Sequence, residues 1–287
     1  MLVNNKTLLE DACKHNYAVA GINTTSLTML RAVVEAAEEL NAPVILSHAQ
    51  LHEPYAPIDL MAPLMKRAAE QAKVPCSLHL DHGVTEQYIL KAIRNGFTSI
   101  MVDFARCSFE ENVARTKTMT DICHELDISV EGEFGEMPSN VKGQGRALPE
   151  GKTIEFFYTD PEKAKAFVEK TGIDSLVVSF GSVHGIYTEK PVMDYDRLEK
   201  ITKVLPEIPL VMHGGSGLSE EDVKKCIDGG IKKINYYTYM ATAPSKKLPE
   251  MIQNSNTLPY FHEIAEYAKE IMKEQAKYAI ELFLNKH

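Results

Sequence analysis

Three histidines stand beside glycine directly after short apolar runs: His82 in SLHLDHG, His184 in FGSVHG and His213 in VMHGGSG. Runs of this kind read as strands, and a strand that ends in a turn delivers its last side chains to one end of a sheet. Three imidazoles from three strand ends can take three corners of a tetrahedron at Zn–N distances of about 2.0–2.1 Å, leaving the fourth corner for a substrate. That is the arrangement of a catalytic ion rather than a structural one. No cysteine clusters with these histidines, so a thiolate-rich site is not expected. Any one of them alone is more often a surface or packing residue; together they point to Zn2+ or another divalent metal.

Carboxylates accompany the histidines. In SLHLDHG, Leu78 and Leu80 alternate with His79 and Asp81, so Asp81 reaches the strand end beside His82, while His79 reads as a core residue or an outer support for a ligand. Glu133 ends the run SVEGE, where it can enter the open coordination position or orient a ligand. Glu131 shares its face, and for either an ordinary ion pair inside the fold is an equal alternative. Asp103 closes another run and can support the metal or a histidine. A phosphate cradle lies in the same segments: Gly185, Gly214, Gly215 and Gly217 expose backbone N–H groups, and Ser216 and Thr238 add hydroxyls. Asn23, Ser47 and Arg106, after other strand-like runs, are expected to face the same substrate.

For these residues to meet, the chain must bring distant strand ends together. Short apolar runs alternate with longer helical stretches from Tyr17 onward, which is the pattern of βα units on a parallel sheet. The expected strands are Ala18–Asn23, Pro43–Ser47, Pro75–Asp81, Thr98–Asp103, Ile128–Glu133, Ser175–Ser179, Ile208–His213 and Ile231–Asn235. Eight such units with chemically loaded C-terminal ends predict a (β/α)8 TIM barrel, in which every strand end opens on one mouth. An open doubly wound sheet would spread them along a row. Helices are expected over Leu27–Leu40, after the N-cap Ser219, from Asp160-Pro161 to about Thr171-Gly172, and at the C-terminus over about 260–284. The stretch at about 135–159 is too long and too rich in Gly, Pro and Lys for a simple βα turn, and reads as a lid, an ordered decoration or a subunit contact.

A chain of 287 residues suits one such domain spanning 1–287. Its formal charge of −9 provides no global field toward nucleic acid or an anionic membrane, so neither is an expected partner. The five cysteines are scattered and odd in number, which speaks against a disulfide framework and for a reducing, cytoplasmic setting. No run approaches the roughly 18 apolar residues of a membrane span, and the N-terminus lacks the apolar core of a signal peptide.

With those residues in place, the sequence resembles the class II, metal-dependent ketose-bisphosphate aldolases, the group that includes fructose-bisphosphate and tagatose-bisphosphate aldolases. The resemblance runs from about Tyr17 to Tyr239 on SLHLDHG, FEEN (Phe109 to Asn112), TDP (Thr159 to Pro161), TGIDSL (Thr171 to Leu176), GSVHG and HGGSG. It implies His82, His184 and His213 as zinc ligands, Glu133 as a carboxylate approaching the metal in the resting site, and Asp81 as the acid/base at the substrate hydroxyl. It further implies that Gly185, Gly214, Ser216, Asn235 and Thr238 hold a dihydroxyacetone phosphate half, with Asn235 near the enediolate. A monovalent cation, Na+ or K+, and a homodimer or homotetramer are further implications.

The sequence departs from the family pattern on the aldehyde side. Gly135-Glu136-Met137-Pro138-Ser139 replaces a Gly-Gly and acidic pair, leaving Glu136 as the nearest second acid/base and Glu150 a remoter one. Ser47-His48-Ala49-Gln50 replaces a Gln and a Ser, Phe104-Ala105 with Arg106 replaces a small pair, and Tyr239 stands where an acid is common. The expected activity is reversible cleavage of a ketose phosphate or bisphosphate to dihydroxyacetone phosphate and a non-standard aldehyde, with Arg106 or Lys142 available to an anionic tail. The rivals are a metal-dependent sugar-phosphate epimerase or hydrolase on the same barrel, and a catalytically silent sugar-phosphate-binding protein.

Overall fold

A computed structural model describes residues 1–136, 150, 153–187, 191–255 and 257–285. Its strands are β1 (Leu2–Val3), β2 (Val19–Asn23), β3 (Val44–Ala49), β4 (Cys76–Gly83), β5 (Ser99–Val102), β6 (Ser129–Glu133), β7 (Ser175–Val177), β8 (Leu210–Met212) and β9 (Ile231–Tyr236). From β2 to β9 each strand pairs in parallel with the next, and β9 pairs back onto β2, closing an eight-stranded barrel. Each of the eight expected strands is present, with no end displaced by more than two residues.

The helical marks also fall where the residue types put them. Ser26, Asp160 and Ser219 each accept a hydrogen bond from a first-turn N–H, and Gly172 ends its helix in the left-handed region. The C-terminal helix Phe261–Phe283 lies against Leu27–Glu39, joined by Lys269 to Glu35 and by Arg31 to Glu266. All five cysteines are free. Among the described residues no helix is long and apolar enough to cross a membrane.

Two segments went unread in the sequence. The N-terminal segment forms β1, paired with β4, and the helix Asn5–His15. Leu8, Leu9 and Ala12 of that helix pack with Tyr17, Val19 and Ile45, stopping one end of the barrel with apolar surface. The second is Thr238–Asn254, a helix that contains Pro244 and Pro249. Proline removes a donor and crowds the preceding turn, so this segment does not read as helical by local preference.

Midway up the barrel lies a charged layer. Lys233 Nζ is 2.8 and 2.7 Å from the two Glu131 oxygens and 3.0 Å from His79 Nε2, and all three side chains are fully buried. Gly21 leaves room for this layer, since a Cβ there would stand 2.7 Å from Asn235 Oδ1 and 3.0 Å from Lys233 Cε. Burial opposes the Glu131 charge, but Lys233 and His79 overcome it and hold the carboxyl well below the usual range. Its stabilising contribution is therefore complete above the ordinary glutamate pKa of about 4.3 and is lost as pH falls through the depressed folded value. Lys233→Met strands the carboxylate without its partner and is expected to cost about 3–5 kcal/mol near neutral pH. Urea unfolding of the variant tests this; a loss under 1 kcal/mol would exclude a stabilising role.

Candidate metal centre and substrate cavity

The C-terminal ends of the barrel strands open into a cavity of about 1240 Å³. His82 enters it through an irregularity: the pairing of β4 with β5 shifts register between Leu80 and Gly83, and His82 has φ +50°. A bulge of this kind re-aims a side chain, and a left-handed φ at a non-glycine residue is tolerated where neighbours enforce it. His184 and His213 stand in the turns after β7 and β8. Gly214, next to His213, has φ +71°, and a Cβ there would lie 2.3 Å from the Val183 carbonyl oxygen, so only glycine lets these two turns approach.

The three imidazoles converge. His213 Nδ1 is 3.1 Å from His82 Nε2 and 3.3 Å from His184 Nε2. Nitrogens bound at about 2.0–2.1 Å to one tetrahedral ion are separated by about 3.3 Å, so both distances fit shared coordination. Each neighbour strengthens that fit. Asp103 Oδ2 lies 2.7 Å from His82 Nδ1, which orients the ring so that Nε2 faces the other two imidazoles. Glu131 Oε1 lies 3.6 Å from His213 Nε2, on the side away from the cluster, and ties that ring to the Lys233 layer.

The electrostatics carry the signature of a cation site. Burial depresses the basicity of His82, but Asp81, Asp103 and Glu133 outweigh it and push the pKa up to about 10. Burial, with the charges of His82 and His213, pushes His184 down to about 3. One ring thus answers the surrounding carboxylates by holding a proton. A divalent ion answers them without it, and the donor set of three nitrogens suits zinc.

Glu133 is buried, with Oε2 3.8 Å from His82 Nδ1; it groups with His82 and Asp103 as a second cluster able to hold an ion. Asp81 is clamped by amides: Oδ2 accepts from Asn23 Nδ2 at 2.7 Å and Oδ1 from Asn235 Nδ2 at 3.1 Å. Burial raises its pKa, but His82, His213 and Lys233 overcome this and keep it well below the carboxylate range. Among the described residues the side-chain carbonyl oxygens of Asn23 and Asn235 have no partner.

Gly185, Gly214, Ser216 and Thr238 line one wall of the cavity, with Thr238 opening the helix that the prolines concealed. Arg106 and Glu136 line it as well, Arg106 being exposed. Ser47 is fully buried and is not among the residues that line the cavity. Glu150 is exposed and likewise not part of the lining. Lys142 and most of the stretch at 135–159 lie outside the described residues.

The other motif residues are framework. Asn112 of FEEN donates to the Glu133 carbonyl at 3.1 Å, pinning the end of β6. Thr159 of TDP donates to the Phe134 carbonyl and accepts from Ser179 N–H, tying the ends of β6 and β7 together. Asp174 of TGIDSL accepts from Val130 N–H. Residues that sequence reading did not place at the cavity include His52, Tyr88, Tyr237 and Arg115. Lys233 was legible in principle, since in the alternation of β9 it shares the inner face with Asn235.

The family model described as fructose-bisphosphate aldolase class-II matches residues 3–287, beyond the span on which the resemblance was first seen. Among solved structures, the YdjI aldolase from Escherichia coli K12 is 33% identical with a TM-score of 0.86, covering 99% of this chain and 97% of that one. Fructose-bisphosphate aldolase (Fba) from Campylobacter jejuni, 21% identical with a TM-score of 0.80 over 98% of this chain and 95% of its own, shares the fold.

Proposed function

The chain belongs to the class-II fructose-bisphosphate aldolase family, and from that premise we propose a zinc-dependent enzyme that reversibly cleaves a ketose phosphate to dihydroxyacetone phosphate and an aldehyde other than glyceraldehyde 3-phosphate. The observation that carries this reading is the meeting of His82, His184 and His213 nitrogens within 3.1 and 3.3 Å beside an amide-clamped Asp81.

When bound, a divalent ion supplies a Lewis acid that stabilises negative charge on the ketone oxygen of an enediolate. Asp81 accepts the proton of the C4 hydroxyl; the C3–C4 bond breaks, its electron pair stays on C3, and C4 becomes the aldehyde carbonyl. Asn23 and Asn235 keep the Asp81 lone pairs oriented throughout. Gly185, Gly214, Ser216 and Thr238 hold the phosphate of the three-carbon half, backbone N–H groups serving as donors in an acidic protein. A proton must then reach C3, and Glu136, which lines the cavity, is the acid assigned to deliver it. The altered residues around Arg106 support a different aldehyde half.

Chelator-stripped protein is expected to lose its cleavage activity and to recover it with added zinc. The assay is dihydroxyacetone phosphate release across a panel of ketose 1-phosphates and 1,6-bisphosphates. Full turnover after stripping, or no cleavage of any panel member by the zinc-loaded enzyme, would overturn the proposal.

A further inference from the structure

His52 is a buried residue with one imidazole nitrogen that has no partner among the described residues. It ends the turn Gln50–His52 after β3, is 6% exposed and lines the cavity. Its Nδ1 is buried and has no hydrogen-bond partner among the described residues. The residue is nevertheless fixed in place. Its carbonyl accepts from Tyr55 and Ala56 N–H, both at 2.9 Å, and its ring packs on Tyr237 with 5.0 Å between centroids. Leaving a buried nitrogen unbonded is unfavourable, and an apolar side chain would line the same wall without that cost.

The strand order says which part of a substrate this ring meets. In the closed ring β3 stands four strands from β7, across the mouth from the turn that carries Gly185. β3 is also the neighbour of β4, with Ala49 opposite Asp81 in register. His52 therefore stands on the Asp81 side of the mouth. The unpartnered carbonyl oxygen of Asn23, on the adjacent β2, continues the same polar strip.

We propose that His52 binds a hydroxyl of the aldehyde half, the polyhydroxylated fragment released when the C–C bond breaks, and so selects the length and configuration of that fragment. This rests on the aldolase reading above. Burial lowers the basicity of His52, although Asp81 opposes it, so the ring is neutral at neutral pH. A neutral imidazole donates from one nitrogen and accepts at the other, which matches a hydroxyl. An anionic group in that position would be repelled by the Asp81 carboxylate.

His52→Phe keeps a ring against Tyr237 and removes both nitrogens, while His52→Gln restores one donor and one acceptor. Solvent exchange of the carbon-bound proton of dihydroxyacetone phosphate requires no aldehyde and reports on the other half alone. For zinc-loaded His52→Phe we expect kcat/KM for ketose cleavage to fall about 10- to 100-fold, with a raised KM for the aldehyde in condensation. Proton exchange and zinc content should stay at wild-type levels, and His52→Gln should recover much of the loss. Unchanged cleavage by His52→Phe, or exchange that falls in parallel with cleavage, overturns the proposal while leaving the aldolase reading standing. In the wild type, substrates deoxygenated one position at a time in the aldehyde half should include one with the same loss; indifference to all of them also overturns it, whether or not the variants fold. A wild type that neither cleaves ketose phosphates nor exchanges the proton overturns the parent reading and this one together.

Discussion

Asp81→Asn is expected to lower kcat for ketose phosphate cleavage about 10²- to 10⁴-fold, the range a positioned acid/base contributes. The substitution keeps the shape but removes the group that accepts the C4 hydroxyl proton. It also disturbs the clamp, because Asp81 now accepts from both Asn23 Nδ2 and Asn235 Nδ2. An asparagine must turn its own NH2 toward one of those donors. His82 and His213 keep their other neighbours, Asp103 on His82 and Glu131 near His213. Zinc content should therefore survive, and the loss should appear in kcat more than in KM. Steady-state kinetics with elemental analysis of the same sample provides the test; activity within about threefold of wild type would remove Asp81 from the chemistry.

His184→Ala is expected to abolish cleavage through loss of the metal. His184 is the ligand with the least outer support, for the described hydrogen bond of its Nε2 is to His213 itself. It is also held neutral by burial, ready to coordinate without first losing a proton. Removing it leaves two imidazoles and should weaken zinc binding by more than the roughly 10- to 100-fold that deleting an outer partner costs. Asp103→Asn supplies that comparison, since it alters only the group behind His82. Competition against a chromogenic chelator ranks the two variants. Equal affinity of His184→Ala and wild type would exclude the three-histidine site.

Much of this could be read from residue order because strand ends and turns are local features. The alternation SLHLDHG tells which side chains share a face, and a glycine beside each histidine marks where the strand stops. Eight such segments sufficed to place the barrel strands within two residues. Caps at Ser219 and Asp160 were legible for the same reason, as one side chain meets the first turn of its own helix. The helix Thr238–Asn254 was not, because two prolines argue locally against a conformation that tertiary packing imposes. The complete burial of Ser47 was likewise not legible, because burial depends on what the rest of the barrel packs around a strand end.

Residue types and spacing alone determined the barrel, the identity of the metal-binding histidines as candidates and the neighbouring acid, since each follows from periodicity within a few residues. Only the tertiary structure decided which atoms meet. Lys233 lies 102 residues from Glu131, and both gain their partner solely from barrel closure. The positive φ of His82 and, among the described residues, the unpartnered side-chain oxygens of Asn23 and Asn235 and the unpartnered Nδ1 of His52 are likewise products of packing. A hydrogen bond depends on distance and direction to a few tenths of an ångström, and no local pattern in a chain carries that information across a hundred residues.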